Sequence, residues 1–200
     1  MSGEKSVSIG AALMETTLLM NERPRAEFLL IAPTVSLAHI AFSQTLGMVE
    51  KDPEGFLQKR MHIHEHLRKI TDRRTKATLE IKAFDTSVLT GVKPTGVLLD
   101  ELHEIAKAPA AVRLIGQLRG GLLPNPEGFL MFITTQSDEP PRGAFRSELA
   151  VARAIRDGRS QGAMLPVLYE FPEDIANDTG SPPAWQDPKN WWMVTPNRDR

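Results

Sequence analysis

The sequence predicts an α/β fold in which a mostly parallel sheet is flanked by helices. Three observations carry this. Residues 28–31 form a short, wholly apolar run with charged residues before it and Ala32, Pro33 and Thr34 after it, the pattern of a strand buried on both faces. Further strand-like runs at 97–100, 129–134 and 165–169 alternate with helical stretches near 108–119 and 144–157. The chain has 200 residues, 41% of them hydrophobic, enough for one domain with a real core and too few for two of ordinary size.

In chain order, Ile9, Leu13 and Met20, with Ala12 and Leu19 beside them, recur near helical spacing and predict a helix over 6–21. After the strand at 28–31, Ser36 opens a second helical pattern through Leu37, Ile40, Ala41, Leu46 and Val49. The cluster Asp52, Pro53, Glu54, Gly55 terminates it. Residues 61–83 set Ile63, Leu67, Ile70, Leu79 and Ile81 among polar residues around a turn near Asp72, Arg73 and Arg74, which predicts short strands or a hairpin. After Phe171 the chain turns to Pro, Asp, Asn and Gly with Trp185, Trp191 and Trp192, the composition of an interdomain segment. The expected division is a domain over 1–171 and a linker over 172–200.

Composition excludes several classes. Lysine and arginine total 24 against 25 acidic residues, a net charge of −1 with no long run of either sign, so no global charge-driven grip on nucleic acid is encoded. Without cysteine there is no disulfide framework and no thiolate metal site, which fits a reducing compartment. No stretch approaches the roughly 20 apolar residues of a membrane-spanning helix, and the start lacks the order of a signal peptide.

The strongest chemical signal is Gly96, Val97, Leu98, Leu99, Asp100, Glu101, Leu102, His103. It is a buried strand with two carboxylates at its carboxyl end, where open α/β sheets bind their ligands. Adjacent acids there suit nucleotide hydrolysis: Asp100 can hold Mg²⁺ directly or through water while Glu101 polarises the attacking water. A solvated helix start is the bland alternative. Ser2, Gly3, Glu4, Lys5 and Ser6 precede a helix, as does the tail of a phosphate-binding loop, where amides and the helix dipole meet phosphates, Lys5 neutralises charge and the Ser6 hydroxyl reaches Mg²⁺. The first glycine of such a loop and the glycine before the lysine are absent. The run ending in Thr134, Thr135, Gln136 and Ser137 places hydroxyl and amide groups where a γ-phosphate could be sensed.

His62, His64 and His66 alternate, so an extended strand would put all three on one side. A polar, half-exposed strand explains them better than a Zn²⁺ or Fe site. His103 is placed to couple hydrolysis to motion or, equally, to face solvent. Arg68, Lys69, Arg73, Arg74 and Lys76 form a basic patch open to DNA phosphate or a neighbouring subunit, with solvated hairpin charges as the default.

Together, Glu4 to Ser8, Phe28 to Thr34, Gly96 to His103, Pro126 to Phe129, Thr134 to Pro141 and Leu165 to Asp174 resemble phage terminase large subunits over almost the whole chain. The resemblance implies a P-loop NTPase of the RecA/ASCE type with an inserted β-hairpin. It implies ATP and Mg²⁺ as cofactors, with Gly3, Lys5 and Ser6 binding nucleotide, Ser6 and Asp100 on Mg²⁺, Glu101 as catalytic base, and Thr134, Thr135 and Gln136 as the coupling motif.

The implied partners are double-stranded phage DNA, the small terminase subunit and the portal protein. The implied assembly is a homo-oligomeric ring at the procapsid portal in the host cytoplasm, with no membrane. Relative to the family, Met1 stands where an arginine begins the loop, and the first strand of the sheet, expected beside the strand that ends at Thr134, is missing. The family's nuclease domain, expected after Pro196 and Asn197, is also missing. The trans-acting arginine has no counterpart at Thr90, Gly91, Val92 and Lys93. Two alternatives stay open: a helicase of the Asp-Glu-x-His type, since residues 100–103 spell that box, and a non-catalytic terminase remnant.

Overall fold

A computed structural model describes residues 3–85, 93–135 and 139–194, with the side chains of residues 3–7 outside the description. The backbone divides into two compact units, Met1–Ser147 and Glu148–Arg200. In the first, α1 (Gly3–Met20) leads to β1 (Glu27–Ala32), α2 (Val35–Glu50) and α3 (Phe56–Arg60). Then come β2 (Met61–His64), β3 (Lys69–Asp72), β4 (Thr78–Ala83) and β5 (Gly96–Asp100). The short α4 (Leu102–Ile105), α5 (Ala111–Leu122), β6 (Phe129–Ile133) and the start of α6 (Gly143–Arg156) complete it.

The six strands form one sheet in the order β2-β3-β4-β1-β5-β6. β1 lies parallel between β4 and β5, and β6 runs parallel to β5, while β2, β3 and β4 join as antiparallel neighbours. The expected α/β sheet with an inserted hairpin is therefore present, and the hairpin extends the sheet at one edge.

Apolar alternation explains the layers. Phe28, Leu30, Ala32, Leu79, Ile81 and Leu98 point into a core closed by Met14 and Leu18 of α1 and Ala38, Ala41, Phe42 and Val49 of α2. The intervening Leu29, Ile31, Val97 and Leu99 are buried as well, so the central strands are apolar on both faces. α2 starts one residue earlier than the sequence suggests because Thr34 supplies the cap: its Oγ1 accepts from the Leu37 amide at 3.2 Å. Ile9, Leu13 and Met20, whose helical spacing predicts α1, are exposed. The buried stripe is Ala11, Met14, Glu15 and Leu18, a line the small and charged members hid from a count of large apolar residues.

The hairpin is tied back to the helices by buried charge. Asp72, wholly buried, accepts from Arg60 Nη2 at 2.9 Å and from the Arg74 amide at 2.7 Å. Burial opposes its ionisation, yet these bonds hold its carboxyl below the usual range. Arg60 Nη2 also donates to Leu19 O at 2.6 Å, capping the carboxyl end of α1.

In the second unit, residues 165–169 are not a strand. Between Gly162 and Phe171 no backbone group bonds another backbone group among the described residues, and Leu165, Val167 and Tyr169 are 88%, 64% and 57% exposed. A strand needs a neighbour to satisfy its amides, and Pro166, its second residue, offers none to donate. What fixes the segment is Glu170, which accepts from Arg153 Nε at 3.0 Å and Arg156 Nη1 at 2.8 Å. Short helical turns follow, α7 (Glu173–Ala176) and the 3₁₀ turns Ala184–Gln186 and Pro188–Met193. No helix among the described residues is long and apolar enough to cross a membrane.

Candidate functional site

The carboxyl ends of β5 and β6 gather the polar residues. β5 is wholly buried, and its first residue has no room for a side chain: a Cβ on Gly96 would lie 2.4 Å from a Phe129 ring carbon and 2.9 Å from Phe28. The two rings pack over the glycine with centroids 6.4 Å apart, which seats β5 between β1 and β6 and fixes where it ends.

It ends in Asp100, 1% exposed. Oδ1 accepts the Glu101 amide at 3.1 Å, whereas Oδ2 is buried with no hydrogen-bond partner among the described residues. Burial first, and the Glu101 charge second, push this carboxyl up to about 6. An orphaned carboxylate oxygen costs on the order of 1–3 kcal/mol, and a cation at Oδ2 would relieve it. The residues present thus fit Mg²⁺.

Glu101 breaks the strand. Its backbone is left-handed (φ 50°, ψ 56°), a conformation that costs a non-glycine residue about 1–2 kcal/mol. The turn starts α4 at once, and the Glu101 carbonyl accepts from the Glu104 and Ile105 amides at 2.9 and 3.2 Å. Its side chain is held from two sides: Oε2 lies 3.3 Å from Thr135 Oγ1 and 3.3 Å from His103 Nδ1.

His103 is packed rather than solvent-facing, its side chain 11% exposed and its ring 6.3 Å from Phe145. Its amide donates to Thr134 Oγ1 at 3.2 Å, and Nδ1 approaches the same oxygen at 2.9 Å. Thr134 Oγ1 also lies 3.2 Å from Thr135 O, to which its hydroxyl can donate. Nε2 faces Glu104 Oε1 at 3.3 Å, and Lys107 closes the chain at 2.6 Å from that oxygen. Glu104 was not foreseen from sequence. Its signal is its position one residue after His103 in the same helical turn.

Of the residues expected from sequence, Asp100, Glu101, His103, Thr134 and Thr135 therefore meet in one network. Gln136 lies outside the described residues, as do the segment containing Thr90, Gly91 and Val92 and the pair Pro196 and Asn197. Gly3, Lys5 and Ser6 occupy the first turns of α1, with side chains outside the description.

The direction of α1 is clear from its flanks. A Cβ on Gly10 would lie 3.6 Å from Leu98 and 3.7 Å from Ile133, the last residue of β6. Just beyond the other end of the helix, Arg23 pairs with Glu127 at 2.8 Å, before β6 begins. The helix therefore runs antiparallel to the strands, with its amino end toward the end of the sheet that carries Asp100 and Thr134. The histidines at 62, 64 and 66 do not share one face: His62 and His64 do, with ring centroids 4.3 Å apart, but His66 falls in a 3₁₀ turn. No group of three metal-ligating side chains occurs among the described residues.

No protein-family model matches the chain, and no curated protein does. Solved structures do. The large terminase of bacteriophage HK97 superposes with a TM-score of 0.68 at 18% identity over 93% of this chain, which spans 36% of that terminase's length. The ATPase domain of the Thermus phage P74-26 large terminase matches over 66% of this chain and 56% of its own, at 18% identity and a TM-score of 0.49. Over nearly its whole length, this chain has the fold found in the HK97 phage large terminase.

Proposed function

We propose that the chain is the ATPase motor portion of a phage terminase large subunit, coupling ATP hydrolysis to movement of double-stranded DNA into a procapsid. The observation that carries this is the Asp100–Glu101 pair. One acid is buried with an open oxygen and the next is bent into a left-handed turn, at the sheet end toward which α1 points its amino terminus.

In this reading Gly3 and the first amides of α1 face the phosphates, Lys5 neutralises them, and Ser6 and Asp100 hold Mg²⁺. The bound ion would supply charge neutralisation on the phosphate oxygens. Glu101 accepts the proton of the attacking water and is aimed by Thr135 and His103. Thr134 and Thr135, with Gln136 beyond them, sense the γ-phosphate. His103 joins them to Glu101, so a shift at the end of β6 moves the base. The partners follow from the same reading: duplex phage DNA, the small terminase subunit, the portal protein, and further copies in a ring in the host cytoplasm.

ATP turnover and ATP binding of this chain, and of a form extended upstream, test the proposal. Glu101→Gln is expected to reduce turnover by about 100-fold or more while leaving binding within about threefold. Unchanged turnover removes Glu101 from the role of base, and turnover in neither form ends the ATPase reading.

A further inference from the structure

The three-stranded hairpin has two unlike faces. Met61, Ile70, Leu79 and Ile81 are buried in the core. Their alternates form an open polar surface: His62 and His64 on β2, Lys69 and Thr71 on β3, Glu80 and Lys82 on β4, each half-buried or exposed. The register aligns them in rows across the strands, His64 beside Lys69 beside Glu80, and His62 beside Thr71 beside Thr78. β1 and β5, by contrast, are buried on both faces.

Charge concentrates here. Between Lys59 and Lys82 stand eight basic and three acidic residues, in a chain whose net charge is −1. One of the three acids, Asp72, is consumed inside the fold by Arg60, and Glu80 is shared with Lys82 at 3.2 Å. Two of the arginines are engaged by backbone carbonyls: Arg68 donates to Ile81 O and Arg74 to Asn21 O, each at 3.3 Å. Lys69 and Arg73 remain with the histidines, Arg73 Nη2 lying 3.3 Å from His62 Nδ1, and Lys76 is exposed in the connection between β3 and β4. The surroundings of His64 are cationic enough that, after burial, His62, Lys69 and His66 all lower its pKa.

The geometry points to this hairpin face as the surface that receives the phosphate backbone of duplex DNA. A phosphodiester asks only for positive charge and hydrogen-bond donors, and the face offers both, from Lys69, Arg73 and the Thr71 and Thr78 hydroxyls, with Lys76 exposed in the adjoining connection. An acidic protein partner would require an apolar centre to its interface. The exposed Leu67 lies in the tip rather than on the face. The inference rests on the DNA-motor reading and assigns that motor a contact surface outside its nucleotide site.

The test measures binding of a fluorescent random-sequence 30-base-pair duplex to the full chain across a salt series, with MANT-ATP binding and basal ATP turnover read in parallel. A Lys69→Gln/Arg73→Gln/Lys76→Gln variant is expected to lose about tenfold or more in affinity. Its log–log salt slope should become shallower by about 2–3, near 0.9 per lost phosphate contact, with basal nucleotide binding and turnover unchanged. An Arg113→Gln/Arg142→Gln/Arg146→Gln variant, which removes equal charge elsewhere, should bind within about twofold of the parent.

Equal loss in both variants, or no loss in the hairpin variant, overturns the assignment. So does polyglutamate competing as well as DNA at matched charge, which would make the face a site for an acidic protein. Loss of DNA binding confined to the hairpin variant in a chain that binds no nucleotide supports the surface and refutes only the motor.

Discussion

Glu15 should make this protein less stable as pH rises through neutrality. It lies on the buried stripe of α1, 3% exposed, with neither carboxylate oxygen hydrogen-bonded among the described residues. Burial pushes its pKa from 4.5 up to about 7. The folded state therefore holds a proton that the unfolded chain has released. The linked cost is nearly absent below about pH 4.5, grows across the window to pH 7, and is fully present above it. At about 1.36 kcal/mol per unit the full cost is about 3 kcal/mol, of which about 1 kcal/mol is already present at pH 5.

Glu15→Gln keeps the shape and removes the ionisation. Its stability relative to the parent, from urea unfolding, should rise by about 2.5 kcal/mol between pH 5 and pH 8. The difference between the two proteins is the informative quantity, because Asp72, Glu127 and Glu170 have lowered pKa values and act in the opposite direction. A stability difference that is the same at both pH values would refute the reasoning, showing that Glu15 finds a partner or water in solution.

Gly96→Ala should destabilise the sheet by about 1–3 kcal/mol or more, because the added carbon meets the Phe129 ring at 2.4 Å. A Gly96→Ala/Phe129→Leu double variant should recover part of the loss in thermal or urea unfolding. Thr134→Val removes the acceptor shared by the His103 amide and ring. Since Thr134 is exposed, stability should change by about 1 kcal/mol or less. Steady-state kinetics should show kcat reduced by about tenfold, because Thr134 orients His103 and through it the base.

The parts of the fold legible in sequence were those whose signal is local. Residues 28–31 and 97–100 are strands because their apolar runs have nowhere to sit except between two layers, and the apolar run at 129–133 pairs beside β5 as a half-exposed edge strand. The helix at 35–50 is set by Thr34 at one end and Asp52-Pro53 at the other. The parts that failed depend on tertiary context. Small and charged residues line the buried side of α1, so its orientation could not be read from Ile9, Leu13 and Met20. Residues 165–169 have a strand's composition but no hydrogen-bonded neighbour.

At the site, Asp100 and Glu101 announced themselves as acids after an apolar strand. The left-handed turn at Glu101 had no residue-type signal, since glycine or asparagine would be expected there. The role of His103 as a bridge between Glu101 and Thr134 depends on two strands being adjacent, which only the sheet order reveals.

The central claim is that Asp100 and a triphosphate share one cation. Calorimetric titration of ATP with and without Mg²⁺, into the parent and Asp100→Asn, tests it most directly. ATP binding in the parent is expected to strengthen at least about tenfold with Mg²⁺, and in the variant to lose that dependence. ATP binding that ignores Mg²⁺ in the parent, or an Asp100→Asn variant that responds to Mg²⁺ as the parent does, would contradict it.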